Sequence, residues 1–226
     1  IKSISSKHKI PIVEDACHAI SATYFKNFAG KFGDFGCFSL HPLKNLNVWG
    51  DGGVVTTNDE DLKNKLKLIR NHGLINRDVC QEFAYNSRLD TIQAVVAKYL
   101  IQNKLQNITS TRRSNANYLD ERLEEFKDIK LVQRDNNLKE VHHLYMFSFD
   151  KRDEMVQYLR SNSIDAKIHY PIPMHLQPAS KKFGYKLGDF PIAENLANKT
   201  ISIPVHEFIT KEQLDRVISC VGEFIA

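Results

Sequence analysis

The sequence predicts an α/β fold that gives way to a smaller α+β arrangement. Three observations carry this. Short apolar runs near the start each end in polar, chemistry-bearing residues. A long helical stretch free of proline and glycine follows. Beyond it, strands and helices alternate in shorter pieces.

Pro11 to Asp15 reads as a short buried strand ending in acids, and Phe35 to Leu40 as a second. Gly53 to Thr57 reads as a third, rich in β-branched residues. Asn58-Asp59-Glu60-Asp61 is a helix start: Asn58 or Asp59 can cap free N–H groups, and the acids suit the positive end of the helix dipole. Leu62, Leu66 and Ile69 then repeat at helical spacing up to Gly73. From Asp90 to about Phe126 the apolar positions include Ile92, Val95, Val96, Tyr99, Leu100, Ile108 and Leu119. That length predicts an interdomain connector or two helices end to end. His143 to Phe149 reads as a strand, Asp153 to Ser161 as a helix, and Ala166 to Tyr170 as a strand closed by a loop with Pro171 and Pro173. Ala193 to Lys199 and Lys211 to Phe224 read as helices. The expected domain boundary lies within the long helix, near residue 105: residues 1–105 form one domain and 106–226 a smaller one.

The chain has 226 residues, 42% of them hydrophobic, enough for a true core. No apolar run is long enough to span a bilayer, and the opening residues are polar and mixed, unlike a secretory signal. The net charge of +4 is interleaved along the chain, so no nucleic-acid track is expected. Cys17, Cys37, Cys80 and Cys220 form no CxxC pair and no zinc pattern, which fits reduced thiols in a cytoplasmic protein. Cys17 and Cys37 sit in apolar stretches and are expected to be buried. His142-His143 has no companion ligands nearby, so a strand start is expected there and not a metal site.

Three features near the start belong together. Asp15 ends the first strand, Ser39 and Lys44 follow the second, and Gly50-Asp51-Gly52-Gly53 precedes the third. In α/β folds, strand ends carry ligand chemistry because side chains and free backbone groups converge there. An acid, a hydroxyl and a lysine suit an aromatic cofactor with a ring nitrogen, a phosphate and an aldehyde. Each residue alone has a plainer reading. Asp15 could cap a helix, Ser39 could bond backbone, Lys44 could be solvated, and the glycines could mark a turn. Chemistry and spacing by themselves support an α/β enzyme with phosphate-binding capacity.

The segments Glu14-Asp15-Ala16-Cys17-His18-Ala19, Phe38-Ser39-Leu40-His41-Pro42-Leu43-Lys44-Asn45-Leu46 and Gly50-Asp51-Gly52-Gly53 resemble the DegT/DnrJ/EryC1/StrS aminotransferases. The resemblance continues through Arg70-Asn71-His72-Gly73, Tyr85 to Ala94, Ile168 to Gln177 and Gly188 to Glu194. It implies the aspartate-aminotransferase fold (fold type I) with pyridoxal 5'-phosphate (PLP). The implied activity is transfer of an amino group, usually from glutamate, to a nucleotide-linked keto sugar in a homodimer. Lys44 would hold PLP as a Schiff base and Asp15 would pair with the pyridinium nitrogen. His18 would lie beside the ring and Ser39 would bind the phosphate. Asn86 would reach the phosphate of the neighbouring subunit. Arg88 would contact the nucleotide diphosphate or the donor carboxylate, and His169 and Tyr170 would border the sugar pocket. Asn45-Leu46 and Ile168-His169-Tyr170-Pro171 look closer to the branch acting on 3-keto sugars.

Related dehydratases carry histidine at the Schiff-base position, and here Lys44 stands in it. A dehydratase, and a non-catalytic scaffold of the same fold, are the alternatives. The family has a section before the first motif, roughly a third of its chain, that has no counterpart here. With Ile1 as its first residue, the chain is expected to be a C-terminal fragment whose sheet has an unprotected edge.

Overall fold

The structure, a computed structural model, describes residues 1–226. In chain order the elements are α1 (Lys2–His8), β1 (Val13–Asp15), β2 (Thr23–Tyr24), β3 (Asn27–Phe28), β4 (Phe35–Ser39), β5 (Gly53–Thr56), α2 (Glu60–Ile69), α3 (Thr91–Asn103) and α4 (Leu105–Leu123). They continue with β6 (Lys130–Leu131), β7 (Leu138–Lys139), β8 (Tyr145–Ser148), α5 (Arg152–Ser161), α6 (Pro191–Lys199), β9 (Thr200–Ile203) and α7 (Lys211–Ile225). Two 3₁₀ segments, Met174–Leu176 and Pro178–Phe183, precede α6.

The chain forms two compact units. Ile1–Ser110 and Asp135–His143 make the first, Thr111–Arg134 and Leu144–Ala226 the second. The chain passes from the first unit to the second at 110/111, within α4, and residues 135–143 return to the first.

In the first unit, β1 pairs in parallel with β4, and β5 pairs antiparallel on the other side of β4. Asp15 stands opposite Cys37, and Ser39 opposite Gly53. A second, small sheet has the order β3-β2-β7. Residues of β5 are exposed, with Val54 at 41% and Val55 at 46%. The core gathers Leu40, Leu46, Val48, Ala97 and Leu105, with Leu89, Val96 and Leu100 packed against it. Asp59 caps α2, its carboxylate accepting from the Leu62 N–H at 2.9 Å. The long helical stretch is two helices end to end, broken at Lys104, where φ is −128°. Only the stripe of α3 through Val96, Ala97 and Leu100 meets the core. Ile92, Val95 and Tyr99, also apolar positions of the helical pattern, lie on the neighbouring stripe and are exposed. Cys17 and Cys37 are half-buried where burial was expected, and Cys220 is the buried cysteine. All four thiols are free.

The second unit is an antiparallel sheet, β6-β8-β9, with helices around it. Tyr145 and Phe147 of β8 and Ile201 and Ile203 of β9 pack with Leu119, Leu123, Met155, Leu159, Val217 and Val221. Alternate residues of β8 are buried, as a sheet covered on one face requires. A capping box starts α7: the Thr210 hydroxyl accepts from the Gln213 N–H, and the Gln213 side chain accepts from the Thr210 N–H. The strand expected over Ala166 to Tyr170 is not formed. Lys167 alone bridges to Ser202, on the edge of β9 away from β8, before the chain reaches Pro171 and Pro173.

Candidate active site

β1 and β4 run side by side in the same direction, so their C-terminal ends deliver Asp15 and Ser39 to one end of the sheet. Residues 39–44 then form one tight turn. The Ser39 Oγ accepts from the His41 N–H at 3.3 Å, and His41 Nδ1 accepts from the Leu43 N–H at 3.1 Å. The Lys44 N–H donates to the His41 carbonyl at 2.9 Å. His41 thus has a structural role in this turn, beside Pro42. Lys44 is half-buried, and Asn47 Nδ2 donates to its carbonyl at 3.0 Å.

The residue after Lys44 anchors the turn. Asn45 is 3% exposed; its Nδ2 donates to the Val141 carbonyl at 2.8 Å, and its Oδ1 lies 3.2 Å from His143 Nδ1. The His143 ring in turn packs against that of His18, tilted by 50° with centroids 4.1 Å apart. Asn45 and His143 are thus parts of the site that sequence reasoning missed. They are 98 residues apart, and no local spacing announces the contact.

Asp15 is exposed, yet hydrogen bonds hold its carboxyl below the ordinary carboxylate range. Those from Cys17 act first, its backbone N–H at 3.1 Å among them, and the charges of His18 and Lys44 add to them. The Cys17 thiol is pushed up by burial and by Asp15. Glu14, also overlooked as a working residue, takes the N–H groups of Gly30, Phe32 and Gly33 on its carboxylate and fixes the loop that precedes β4.

Asn86 and Arg88 form a second group. Arg88 Nε donates to Asn86 Oδ1 at 3.1 Å and its guanidinium reaches Asn71 Oδ1 at 3.4 Å. Both residues line an open groove of about 1300 Å³ together with Gly52, Gly53, Phe38 and Arg70. A side chain at Gly52 would press on Leu89 and Val48, and glycine lets this turn lie close to the core. His72, at φ 58°, donates its N–H to the Tyr85 carbonyl at 3.0 Å, a packing and turn role.

His169 and Tyr170 belong to the second unit. His169 Nδ1 lies 2.8 Å from the Ser202 hydroxyl, and burial holds its imidazole below the ordinary range. The Tyr170 ring stands edge-on to it at 5.6 Å and is 66% exposed.

A carboxylate and a hydroxyl at the ends of adjacent strands, with a lysine in the turn that follows, are an arrangement of the kind that suits an aromatic, phosphate-bearing cofactor. The comparisons make the class particular. The family model of the DegT/DnrJ/EryC1/StrS aminotransferase family matches residues 1–222, and the chain belongs to that family. It is 34% identical over 226 residues to a "Pleiotropic regulatory protein" of Geobacillus stearothermophilus, covering 99% of this chain and 60% of that one. It is 34% identical over 222 residues to a UDP-N-acetyl-3-dehydro-alpha-D-glucosamine 3-aminotransferase of Acidithiobacillus ferrooxidans, covering 98% of this chain and 59% of that one. Among solved structures, DesV of S. venezuelae in complex with a ketimine intermediate superposes with a TM-score of 0.95 at 32% identity, over 99% of this chain and 60% of that one. The chain therefore spans about 60% of the length of these relatives. Aminotransferases of this family use PLP, and the donor set found here fits that cofactor.

Proposed function

We propose that this chain carries the lysine-bearing part of a PLP-dependent aminotransferase that moves an amino group, taken from glutamate, onto a nucleotide-linked keto sugar. The observation that carries the reading is the delivery of Asp15 and Ser39 to one end of the sheet by two parallel strands, with Lys44 in the turn that follows Ser39. Similarity to a relative named as a 3-aminotransferase of a 3-dehydro sugar supports a 3-keto substrate. A homodimer, with Asn86 given to the neighbouring subunit's phosphate site, and a cytoplasmic place in polysaccharide biosynthesis complete the reading. No helix is long and apolar enough to cross a membrane.

When bound, PLP supplies an electron-withdrawing ring that makes amino-group transfer possible. The chain's residues do the rest. Asp15, ionised well into the acid range, balances a proton on the ring nitrogen. The Lys44 Nζ attaches the cofactor and, when free, takes and returns the proton at the donor carbon. The Ser39 hydroxyl and Asn86 amide hold phosphate oxygens, and His18 packs beside the ring. Arg88 meets a diphosphate or carboxylate, and His169 and Tyr170 hold the sugar. The site groups are proposed as belonging to two domains divided near residue 105.

The test is to purify the full-length protein with PLP, reduce it with borohydride and map the modified residue. Labelling at Lys44, lost in Lys44→Ala, is expected. Labelling elsewhere, or persistence of the cofactor's absorption band in Lys44→Ala, refutes the assignment. A regulatory, non-catalytic role is the second reading, favoured by the name of the Geobacillus relative. Nitrogen transfer from glutamate to a keto sugar separates the two.

A further inference from the structure

The second unit holds a buried polar contact that the chemistry above leaves unexplained. Ser202 lies in β9 and is 4% exposed. Its backbone is engaged on both sides of the bridge to Lys167: its N–H donates to the Lys167 carbonyl at 2.8 Å, and its carbonyl accepts from the Lys167 N–H at 2.9 Å. Its hydroxyl meets one group, His169 Nδ1, at 2.8 Å.

That single partner decides where the imidazole proton sits. A neutral imidazole carries one N–H and one bare nitrogen. If Nδ1 carried the proton, it would donate to the Ser202 oxygen and leave the hydroxyl hydrogen buried with no acceptor. An unmatched buried donor is costly, whereas a matched pair is not. If Nδ1 is bare, the hydroxyl donates into it and both groups are satisfied. The proton then resides on Nε2.

We infer that Ser202 is a positioning residue that fixes His169 as its Nε2–H tautomer, so that His169 offers the substrate one neutral N–H donor. Such a donor suits a keto, hydroxyl or phosphate oxygen of the nucleotide sugar and cannot accept from an N–H. The surroundings favour the neutral ring. Burial acts first and the charge of Lys167 second, and both disfavour the imidazolium; Asp165 opposes them but is itself paired with Lys167 at 2.9 Å. The Tyr170 ring stands edge-on to the imidazole at 87°. The substrate role rests on the proposed assignment of His169 to the sugar pocket, whereas the tautomer does not.

The test uses the full-length protein with ¹⁵N-labelled histidine and long-range ¹H–¹⁵N correlation at neutral pH. His169 is expected to show a protonated Nε2 and a bare Nδ1. A protonated Nδ1, or an imidazolium, overturns the inference without any mutant. In Ser202→Ala the tautomer preference is expected to vanish and KM for the nucleotide sugar to rise roughly tenfold, the size of one lost hydrogen bond. KM for glutamate and kcat should stay near wild type, and Ser202→Thr should restore both the spectrum and KM. A tautomer that survives Ser202→Ala refutes the positioning role, and an unchanged sugar KM refutes the substrate role. Should Ser202→Ala fold poorly, His169→Gln and His169→Asn replace it. Gln, whose amide reaches the Nε2 position, should retain more sugar binding than Asn, and the reverse order counts against the inference. If the full-length protein transfers no amino group, the proposed function fails, and the wild-type spectrum still decides the tautomer.

Discussion

Asn45→Ala probes the anchor of the lysine turn. The Asn45 side chain is buried and makes two contacts, a 2.8 Å donation to the Val141 carbonyl and a 3.2 Å contact to His143 Nδ1. Each hydrogen bond contributes about 1 kcal/mol net, and a carbonyl left buried without its donor costs about 1–3 kcal/mol more. Because these terms overlap, the expected loss is about 2–4 kcal/mol, equivalent to a drop in Tm of roughly 5–15 °C for a unit of this size. Calorimetry and urea unfolding both read it. Asn45→Asp, which sets a carboxylate against the Val141 carbonyl in place of an N–H, should lose at least as much at neutral pH. PLP retention should fall in both variants because the turn that presents Lys44 loosens. A change in Asn45→Ala below about 0.5 kcal/mol, the range of an ordinary surface substitution, would refute the reasoning.

Three further outcomes follow from the same geometry. Gly36→Ala places a methyl group against the Gly30 backbone, and the sheet cannot yield there, so a loss of about 1–3 kcal/mol or more is expected in chemical denaturation. Asp120→Asn weakens a cluster in which Asp120 accepts from Tyr145 at 2.6 Å and from Arg134 at 2.7 Å; a cost of roughly 2–3 kcal/mol should appear in the unfolding of the second unit. Asp15 has a depressed folded-state pKa, so what it contributes is present above the ordinary carboxylate range and is lost only as pH falls through the lower, folded value. Cofactor retention measured by absorbance should accordingly persist through the ordinary carboxylate range in the wild type, and Asp15→Asn should lower it at every pH.

The strands β1, β4 and β5 were legible because β-branched and aromatic runs end abruptly in acids, hydroxyls or turns. The helices α2 and α7 were legible from capping residues and periodicity. The hairpin of β2 and β3 was hidden because its turn uses Phe25 and Lys26 at φ 46° and 63°, a left-handed pair normally given to Asn-Gly. The overlooked β9 follows α6 with no proline or glycine between them to mark where the helix ends and the strand begins. Asp15, Ser39 and Lys44 were legible because strand ends and motifs are local in sequence. His143 and Ser202 were not, since each matters through a contact made only after folding.

Three of the proposed cofactor residues share one construction. Asp15 precedes Ala16, Ser39 precedes Leu40 and Lys44 precedes Asn45, and these followers are 3%, 1% and 3% exposed. Each reactive side chain stays reachable while the next residue is locked inside the first unit. Ala16 donates its N–H to the Cys37 carbonyl, Leu40 donates to Gly52 and accepts from Val48, and Asn45 binds Val141. A lysine on a four-carbon stem is by itself poorly placed for covalent chemistry, because its rotamer freedom is large. Fixing the backbone on both sides removes part of that freedom before any ligand arrives, which is the form preorganisation takes when the working group must still swing. Disturbing a follower should therefore harm cofactor attachment more than an equally destabilising change in the second unit, such as Asp120→Asn. Equal harm at matched stability would show that global stability, and not the anchored turn, governs the lysine.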